Sequence, residues 1–332
     1  MDGKSSKIKY AVIGTSEIAR NYIEAAQSTD LWELVAVYSR KQETGFAFAK
    51  QYGVSDVYTN LELFAKSVCF TAVYIASPNA FHYEQSKLLL EHGKHVICEK
   101  PVAMYEWQLK ELYEIAEQNG LIFLEAMMFM HQPNKDLIKE RIADVGPVSM
   151  AFFDASKRSS RYDTFLAGET PNIFSKDMQA GGLMDMGIYS LYPALYYFGE
   201  PDCVDAAATI LRSDVDGCGS ITLKYTDKVV NVRYSKIGST SIASEIQGEQ
   251  GTIHIGTMLH VGDISIQDKH ANSTQLASEE SKTVLMAREA KSFYSFIEQE
   301  KEKRESYLEC KRMSLLVCKY LEKIRKEIGL EF

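Results

Sequence analysis

An acid, an amine and a proline directly follow an apolar run in the stretch HVICEKPVA, residues 95–103. The apolar run, His95–Cys98, has the composition of a buried strand. A strand that only holds a fold together usually ends in Gly, Asn, Asp or Ser, whereas this one ends in Glu99, Lys100 and Pro101. These ionisable groups indicate a binding or catalytic position, and the alternative is a solvated lysine at a strand end.

A second candidate site is the turn VIGTSEIAR, residues 12–20, which follows an apolar run and opens a helical pattern. Its spacing is close to the dinucleotide fingerprint G-x-G-x-x-G/A, in which a glycine turn and a helix N-terminus bind a pyrophosphate. Ser16 replaces the second glycine. Its side chain narrows the gap for the pyrophosphate but offers a hydroxyl as a hydrogen-bond donor. Ala19, at the third position, is small enough for close packing of the helix on the sheet. The alternative is an ordinary strand-to-helix turn. The predicted cofactor-binding residues of this turn are Gly14, Thr15, Ser16, Glu17 and Ile18.

The residues after the next apolar run indicate which dinucleotide is bound. A site for NAD normally has Asp or Glu here to bind the ribose hydroxyls, but this chain has Ser39, Arg40 and Lys41. Neutral and basic groups suit a 2′-phosphate, which arginine can bind with two parallel hydrogen bonds. Ser39 and Arg40 therefore favour NADP over NAD. The alternative is that Arg40 and Lys41 form a solvated helix start.

Short apolar runs alternate with helical patterns over the first 124 residues, which predicts a parallel sheet with helices on both faces. The predicted strands are Ile8–Ile13, Leu34–Tyr38, Ala72–Ala76, His95–Cys98 and Leu121–Leu124. The predicted helices are Glu17–Gln27, Gln42–Tyr52, Ala80–His92 and Tyr105–Asn119. This is the pattern of a doubly wound Rossmann domain, which binds ligands at the carboxyl ends of its strands.

The rhythm changes after Glu125, where longer alternating segments predict a C-terminal α+β domain with a large, mostly antiparallel open sheet. Its predicted strands are Val148–Ala155, Ala206–Leu211, Ser220–Tyr225, Val229–Tyr234 and Ser241–Gln247. Its predicted helices are Asn134–Ala143, Leu183–Phe198, Val284–Lys303 and Glu305–Ile328. We expect a Rossmann domain over residues 1–126 and a substrate-binding and oligomerisation domain over 127–332, with the last helix a candidate to pack back on the first domain.

Composition excludes several classes of protein. The chain has 332 residues, 45% of them hydrophobic and 25% charged, which is ordinary for a globular protein. A formal net charge of -8 argues against a general nucleic-acid binder. We find neither a bilayer-spanning apolar run nor a signal-peptide core, so we expect no membrane partner. Six cysteines without a C-x-x-C pair predict reduced thiols, a cytoplasmic location and no metal site.

Three longer stretches resemble one enzyme family. SPNAFHYEQSKLLLEHGKHVICEKPVA (Ser77–Ala103) is similar to the signature of the Gfo/Idh/MocA oxidoreductases, the family of glucose-fructose oxidoreductase and inositol dehydrogenase. GGLMDMGIY (Gly181–Tyr189) resembles the family's second motif, and EIQGEQGTIHI resembles its sheet hairpin. The resemblance covers nearly the whole chain.

The resemblance implies that Lys100 contacts both cofactor and substrate, and that the bond to Pro101 is cis, as is common in the family. It implies that Glu99 orients Lys100 or the nicotinamide ribose. Three further cofactor-binding positions, Ser77, Asn79 and His82, follow the third predicted strand. His82 can also be read as a helix residue whose ring nitrogens are bonded within the protein.

The second motif carries the other catalytic candidates. Asp185 and Tyr189 are four residues apart, which places them on one helix face. Many family members have His at the position of Tyr189, whereas those resembling dihydrodiol dehydrogenase, glucose-fructose oxidoreductase and xylose dehydrogenase have Tyr. A tyrosine near a lysine can exchange a proton with an alcohol or alkoxide as hydride moves. Asp185 either binds a substrate hydroxyl or holds Lys100 in an ion pair, and an aromatic on a helix can also be core.

We therefore predict an NADP-favouring NAD(P)-dependent oxidoreductase acting on CH–OH groups of a sugar, polyol or cyclic diol. The alternatives are an NAD-linked inositol or sugar dehydrogenase and a dinucleotide-binding regulator without catalysis. The family commonly associates through the second domain's sheet, so the resemblance implies a homodimer or homotetramer.

Overall fold

Two sheets organise the chain, one in each of its two units. The computed structural model describes residues 7–332. The first unit contains the described residues up to Met128 together with Lys282–Ser314, and the second contains Phe129–Ser281 and Leu315–Phe332. The first unit is therefore made of two separate stretches of sequence.

A six-stranded, all-parallel sheet forms the first unit. Its strands are β1 (Ile8–Ile13), β2 (Trp32–Tyr38), β3 (Asp56–Tyr58), β4 (Ala72–Ile75), β5 (His95–Glu99) and β6 (Phe123–Ala126). The connecting helices are α1 (Glu17–Ser28), α2 (Gln42–Ala49), α3 (Leu61–Ala65), α4 (His82–Glu91) and α5 (Glu106–Gln118). The strand order is β3-β2-β1-β4-β5-β6, and every neighbouring pair is parallel. The predicted Rossmann sheet is confirmed, with the order reversing between β1 and β4, where such sheets bind their ligands.

The edge strand β3 is the element of this sheet that the sequence did not predict. It is only three residues long, and none of its side chains is buried. Because a short edge strand has little apolar periodicity, it lacks the pattern by which strands are predicted. Its role here is local, since Tyr58 O accepts a hydrogen bond from the backbone of Ser39 at 3.0 Å.

The C-terminal stretch of the first unit is held by aromatic packing and buried hydrogen bonds. It contains α9 (Lys282–Ile297) and the first residues of α10 (Arg304–Glu327), whose later residues belong to the second unit. The Trp32 ring stacks on Phe293 with centroids 5.5 Å apart, and its indole N–H donates to Ala290 O at 3.1 Å. This grouping differs from the predicted division at residue 126, because one-dimensional patterning does not reveal that a distant segment returns to cover β2.

The second unit is built on an eight-stranded sheet. Its strands are β7 (Val148–Ser156), β8 (Cys203–Ile210), β9 (Asp216–Lys224), β10 (Val229–Ser235), β11 (Ser244–Gly248), β12 (Gly251–Thr257), β13 (Gly262–Asp268) and β14 (Ser273–Ala277). Its helices before α10 are α6 (Pro133–Arg141), α7 (Tyr162–Leu166) and α8 (Ile188–Phe198). The order is β14-β13-β12-β11-β7-β10-β9-β8, and β7 with β10 is the parallel pair in an otherwise antiparallel sheet.

The mostly antiparallel second sheet is confirmed, and so is the hairpin in EIQGEQGTIHI, which is β11 and β12. The strands β13 and β14 and the short helix α7 were not predicted. In β14, no residue is buried and the sequence STQLA has no apolar alternation, so its place at the sheet edge depends on pairing with β13. The longer helices were predicted more completely than the strands, because their apolar periodicity extends over more residues.

The described part of the chain has neither a membrane-spanning helix nor a cluster of metal-binding side chains. Over residues 7–332, no helix combines the length and apolarity needed to cross a membrane. Within that same range, no group of three or more His, Cys, Asp or Glu is arranged to hold a metal ion.

Candidate active site

The turn after β1 has the geometry that a dinucleotide-binding loop requires. Gly14 has a φ of 105°, and its N–H donates to Tyr38 O at 3.1 Å. A Cβ at this position would lie 2.7 Å from Ala76 O, so no larger residue fits between the ends of β1 and β4. The glycine is therefore required by both conformation and close approach.

Ser16 stands at the N-cap of α1 and is exposed. Its side chain makes no capping hydrogen bond to the helix, so the hydroxyl is not committed to the helix backbone. Thr15 and Ile18 are half-buried, and Glu17 is exposed in the first turn. The N-terminus of a helix attracts anions, so this turn suits a pyrophosphate despite the replaced glycine.

Arg40 lies just beyond the carboxyl end of β2. It is exposed, and its guanidinium carbon lies 5.4 Å from the centre of the Phe81 ring, in the loop after β4. Ser39 is buried, and its hydroxyl accepts a hydrogen bond from the backbone of Lys41 at 3.4 Å. An exposed arginine beside an aromatic ring at this strand end suits a ribose phosphate.

His82 links the loop after β4 to the turn after β5. Its Nδ1 lies 2.9 Å from Pro101 O, and its Nε2 lies 2.8 Å from Ser77 O. Burial lowers the pKa of His82, and the two carbonyl contacts oppose that effect. Each ring nitrogen thus faces a backbone carbonyl oxygen, and the neutral ring donates to one of the two. The predicted contact of His82 with the cofactor stays a prediction.

The neighbouring predicted residues lie in the same loop. The Ser77 hydroxyl donates to the Gln85 side chain at 2.7 Å, and Asn79 is half-buried in a short 3₁₀ turn. Both residues follow β4, at the edge of the sheet where Gly14 follows β1. The fold therefore gathers the turns after β1, β2, β4 and β5 at one edge of the parallel sheet.

The Glu99 carboxylate is oriented by a hydrogen bond within the first unit. It accepts a hydrogen bond from the hydroxyl of Tyr74, whose ring stacks on Tyr22 with centroids 3.7 Å apart. Burial, followed by the charge of Glu99, raises the pKa of Tyr74 well above its usual value, so this hydroxyl is a permanent donor. Tyr74 was missed by sequence reasoning, because a tyrosine inside an apolar strand gives no sign of a polar task.

Lys100 follows β5 directly and is half-buried. The Lys100–Pro101 peptide bond is cis, as the resemblance implied. After Pro101 the chain is again buried, and Val102 N donates to the buried Glu125 at 3.4 Å. Lys100 therefore lies on a turn that is held in place on both sides, by β5 before it and by the buried segment after it.

In the second unit, the motif GGLMDMGIY begins at a turn that packs closely against the first residue of β9. Gly181 has a φ of 147°, and a Cβ there would overlap the carboxylate of Asp216. Asp216 is fully buried and accepts a hydrogen bond from Leu183 N at 2.7 Å. Burial raises the pKa of Asp216, opposed chiefly by the Leu183 bond. Asp216 thus caps the helix that begins at Leu183.

This helix starts as a π-helical turn, Leu183–Gly187, and continues as α8. Asp185 lies in the π-helical turn and Tyr189 in the first turn of α8. Both are half-buried, whereas Met184, Ile188 and Ser190 are buried. The two catalytic candidates thus lie on the less covered side of the helix, and π-helical turns are frequent at functional sites.

The structure gives Asp185 a partner that sequence reasoning missed. The Lys236 ammonium, on the residue after β10, forms an ion pair with Oδ2 of Asp185. The two residues are 51 positions apart in sequence, and the Lys236 side chain is 3% exposed. The available signal was the one noticed at Lys100, a lysine directly after an apolar strand. The predicted ion pair of Asp185 with Lys100 stays a prediction.

The chain matches family models in both of its units. Residues 8–127 match the oxidoreductase family with an NAD-binding Rossmann fold, and residues 146–254 match the Gfo/Idh/MocA C-terminal domain. The fold is also that of a solved structure of KijD10, a 3-ketoreductase from Actinomadura kijaniata in complex with NADP and TDP-benzene. That comparison has a TM-score of 0.83 at 19% identity and covers 97% of this chain and 98% of KijD10.

Two curated proteins are similar in sequence. The NADP(+)-dependent scyllo-inositol 2-dehydrogenase IolU of Bacillus subtilis strain 168 is 37% identical over 98% of both chains. The uncharacterised oxidoreductase YgjR of Escherichia coli K12 is 40% identical over 75% of this chain and 76% of its own. With the family models, these similarities show that this chain is an NAD(P)-dependent oxidoreductase of the Gfo/Idh/MocA family.

Proposed function

We propose that this oxidoreductase uses NADP to interconvert a secondary hydroxyl and a carbonyl on a cyclic polyol of the scyllo-inositol type. The observation that carries the substrate class is the 37% identity to a scyllo-inositol 2-dehydrogenase along 98% of both chains, together with the presence of Lys100, Asp185 and Tyr189. Similarity limited to one domain would support a shared cofactor only. Similarity along both domains supports a shared substrate class as well.

The proposed cofactor residues form three groups. Gly14, Thr15, Ser16, Glu17 and Ile18 would hold the pyrophosphate, and Ser39 and Arg40 the 2′-phosphate. Ser77, Asn79, His82, Glu99 and Lys100 would surround the nicotinamide end. The exposed guanidinium of Arg40, with its carbon 5.4 Å from the centre of the Phe81 ring, is the observation that favours NADP over NAD.

In the proposed mechanism, the protein residues handle the proton and the charge. When bound, the nicotinamide supplies the hydride acceptor or donor. Tyr189, as a phenolate, takes the hydroxyl proton as the carbinol becomes a carbonyl, and as a phenol it returns that proton in the reverse direction. The Lys100 ammonium polarises the reacting oxygen, and Asp185 accepts a hydrogen bond from a neighbouring substrate hydroxyl, which selects polyols over simple alcohols.

A substrate panel tests this function. Purified protein with NADP⁺ would be given scyllo-inositol, myo-inositol, an aldose and a cyclic trans-diol, and NADPH formation would be followed by absorbance. We expect the highest kcat/KM with an inositol, and loss of turnover in Lys100→Met. Turnover of only the aldose or the diol would refute the proposed substrate class. Tight NADPH binding without any turnover would instead favour a regulator.

We further propose that the protein forms a homodimer or a dimer of dimers through the open face of the eight-stranded sheet. On β8, Asp205, Ala207 and Thr209 are exposed, so this edge strand presents one side that is not covered within the chain. Sedimentation that shows only a 37.5 kDa species would contradict this assembly.

All six cysteines have free thiols, which supports our proposal of a reducing, cytoplasmic location.

A further inference from the structure

Lys236 is the most completely enclosed ammonium group near the second motif. It donates to the backbone carbonyls of Ile173 and Gly181, the latter at 3.5 Å, and to Oδ2 of Asp185. Its ammonium also lies 4.8 Å from the centre of the Phe174 ring. An ammonium has three protons, so these three acceptors satisfy all of them.

The three acceptors belong to three different segments. Ile173 lies in the loop between α7 and the Gly-Gly turn, Gly181 begins that turn, and Asp185 lies in the π-helical turn. Lys236 itself is fixed to the sheet, since its N–H donates to Gly217 O at 2.9 Å. One side chain therefore connects a loop, a turn and a catalytic candidate to a rigid strand end.

A role in stability alone does not account for this arrangement. Burying an ion pair costs desolvation energy that its attraction often only offsets, and an apolar side chain of similar size commonly gives equal or greater stability. A buried pair does, however, impose one geometry on the groups it joins. Asp185, unlike Lys236, keeps 22% of its side chain exposed, and a carboxylate can accept several hydrogen bonds. It can therefore bind Lys236 and a substrate hydroxyl together.

We propose that Lys236 is a positioning residue that orients the Asp185 carboxylate and holds the loop at Ile173 against it, so that both are preformed for substrate. This inference rests on the proposed function, in which Asp185 binds a substrate hydroxyl. Lys236 does not touch the substrate in this arrangement, because its protons are used by the protein. Its loss therefore affects the substrate step and leaves dinucleotide binding, a property of the first unit, unchanged.

The test compares Lys236→Met, Asp185→Asn and the double variant, with scyllo-inositol and NADP⁺ as substrates. Methionine keeps an unbranched side chain of similar length but removes the charge. We expect Lys236→Met to lower kcat/KM by on the order of 10²-fold, as misplacement of a binding group does, with a raised KM and NADPH affinity within about twofold of wild type. In the Asp185→Asn background the same substitution should cost less than about threefold, because the residue it orients is already impaired.

The matched control is Lys228→Met, since Lys228 also pairs with an aspartate, Asp227, and lies at the other end of β10. It should leave kcat/KM unchanged. Wild-type kcat/KM in Lys236→Met, or fully additive losses in the double variant, would overturn the proposal. If Lys236→Met does not fold, Lys236→Arg serves instead. A planar guanidinium cannot reproduce the compact three-acceptor geometry, so full activity of that variant would also overturn the proposal.

Crystal structures keep this test independent of the proposed function. If wild-type protein turns over no polyol, the proposed function fails, but the positioning role can still be examined in structures of wild type and Lys236→Met. We expect the Asp185 side chain and the loop at Ile173 to change position in the variant. An unchanged Asp185 rotamer and loop would refute the positioning role.

Discussion

At the scale of single residues, the proposed tasks are divided among side chains at the ends of strands and in one helix. In our proposal, Arg40 binds the 2′-phosphate, Lys100 polarises the reacting oxygen and Tyr189 transfers the proton. Arg40 and the turn of Lys100 are each held by a neighbouring side chain. Phe81 lies beneath Arg40, and the backbone turn of Lys100 is bonded to His82 through Pro101. Substitutions can therefore separate binding from chemistry.

Arg40→Asp should weaken NADPH binding by at least about tenfold and leave NADH binding equal or improved, because a carboxylate repels the 2′-phosphate and accepts ribose hydroxyls. Nicotinamide fluorescence titration measures both affinities. Arg20→Asp is the matched control, since Arg20 also lies over a phenylalanine, with its guanidinium carbon 4.9 Å from the Phe48 ring. Equal weakening of NADPH and NADH by Arg40→Asp would refute the assignment.

Tyr189→Phe should lower kcat by about 10²- to 10⁴-fold, the usual contribution of a general acid–base group, without changing NADPH affinity. Stopped-flow or steady-state rates with an inositol measure this. Tyr225→Phe removes a structural hydroxyl that donates to Gly199 O at 2.9 Å, and it should retain activity. A kcat in Tyr189→Phe within threefold of wild type would assign the proton transfer to another group.

Sequence alone could propose Lys100 from its position after an apolar strand, and Tyr189 from the resemblance of its motif to the family's second motif. It could not identify Lys236 as the partner of Asp185, since that pairing exists only when the end of β10 meets the π-helical turn. Tyr74 is a similar case, because its hydroxyl task at Glu99 depends on the pairing of β4 with β5.

At the scale of elements, two glycines and a buried carboxylate determine how the helix that carries Asp185 and Tyr189 begins. Gly181 lies against Asp216, and a Cβ on Gly182 would lie 3.0 Å from both Gly217 O and the Tyr234 ring. The helix can therefore lie directly on the ends of β9 and β10 only because these two positions lack side chains. The long α-helices and most strands were predictable from periodicity, but β3, β13 and β14 depend on neighbouring strands for their existence.

Gly181→Ala should destabilise the protein by more than Gly168→Ala. Both positions have a positive φ, 147° and 102° respectively, so both substitutions cost backbone strain of about 1–3 kcal/mol. A Cβ at Gly168 meets nothing within 4 Å, whereas at Gly181 it overlaps Asp216. Chemical denaturation of the two variants measures the difference. Equal destabilisation would mean that the overlap is relieved by a shift of Asp216 at no cost.

At the scale of the whole molecule, the C-terminal stretch brings an acid into the first unit's interior. Glu289 on α9 is 1% exposed, and among residues 7–332 its Oε1 has no hydrogen-bond partner. Burial, followed by the charge of Glu99, raises its pKa well above the ordinary 4.5. The folded state thus holds this proton more tightly than the unfolded state, and stability is lost as pH rises above about 4.5 toward the raised pKa.

Glu289→Gln removes that titration and keeps the size of the side chain. The variant should gain stability over wild type as pH rises, with little difference near pH ~4 and at least about 1 kcal/mol at pH ~8. Urea unfolding at the two pH values measures this difference. Glu298→Gln, at an exposed position just after α9, should show no such pH dependence. A stability difference that is constant with pH would contradict the buried, protonated state of Glu289.

The most direct measurement of the proposed activity is kcat/KM of the wild-type protein for scyllo-inositol with NADP⁺ and with NAD⁺, followed as reduced nicotinamide absorbance. We predict turnover with both dinucleotides, at least about tenfold faster with NADP⁺, because Arg40 offers a charge-assisted bidentate contact that only the 2′-phosphate can use. Saturating dinucleotide binding without scyllo-inositol turnover, or a clear preference for NAD⁺, would contradict an NADP-dependent polyol dehydrogenase.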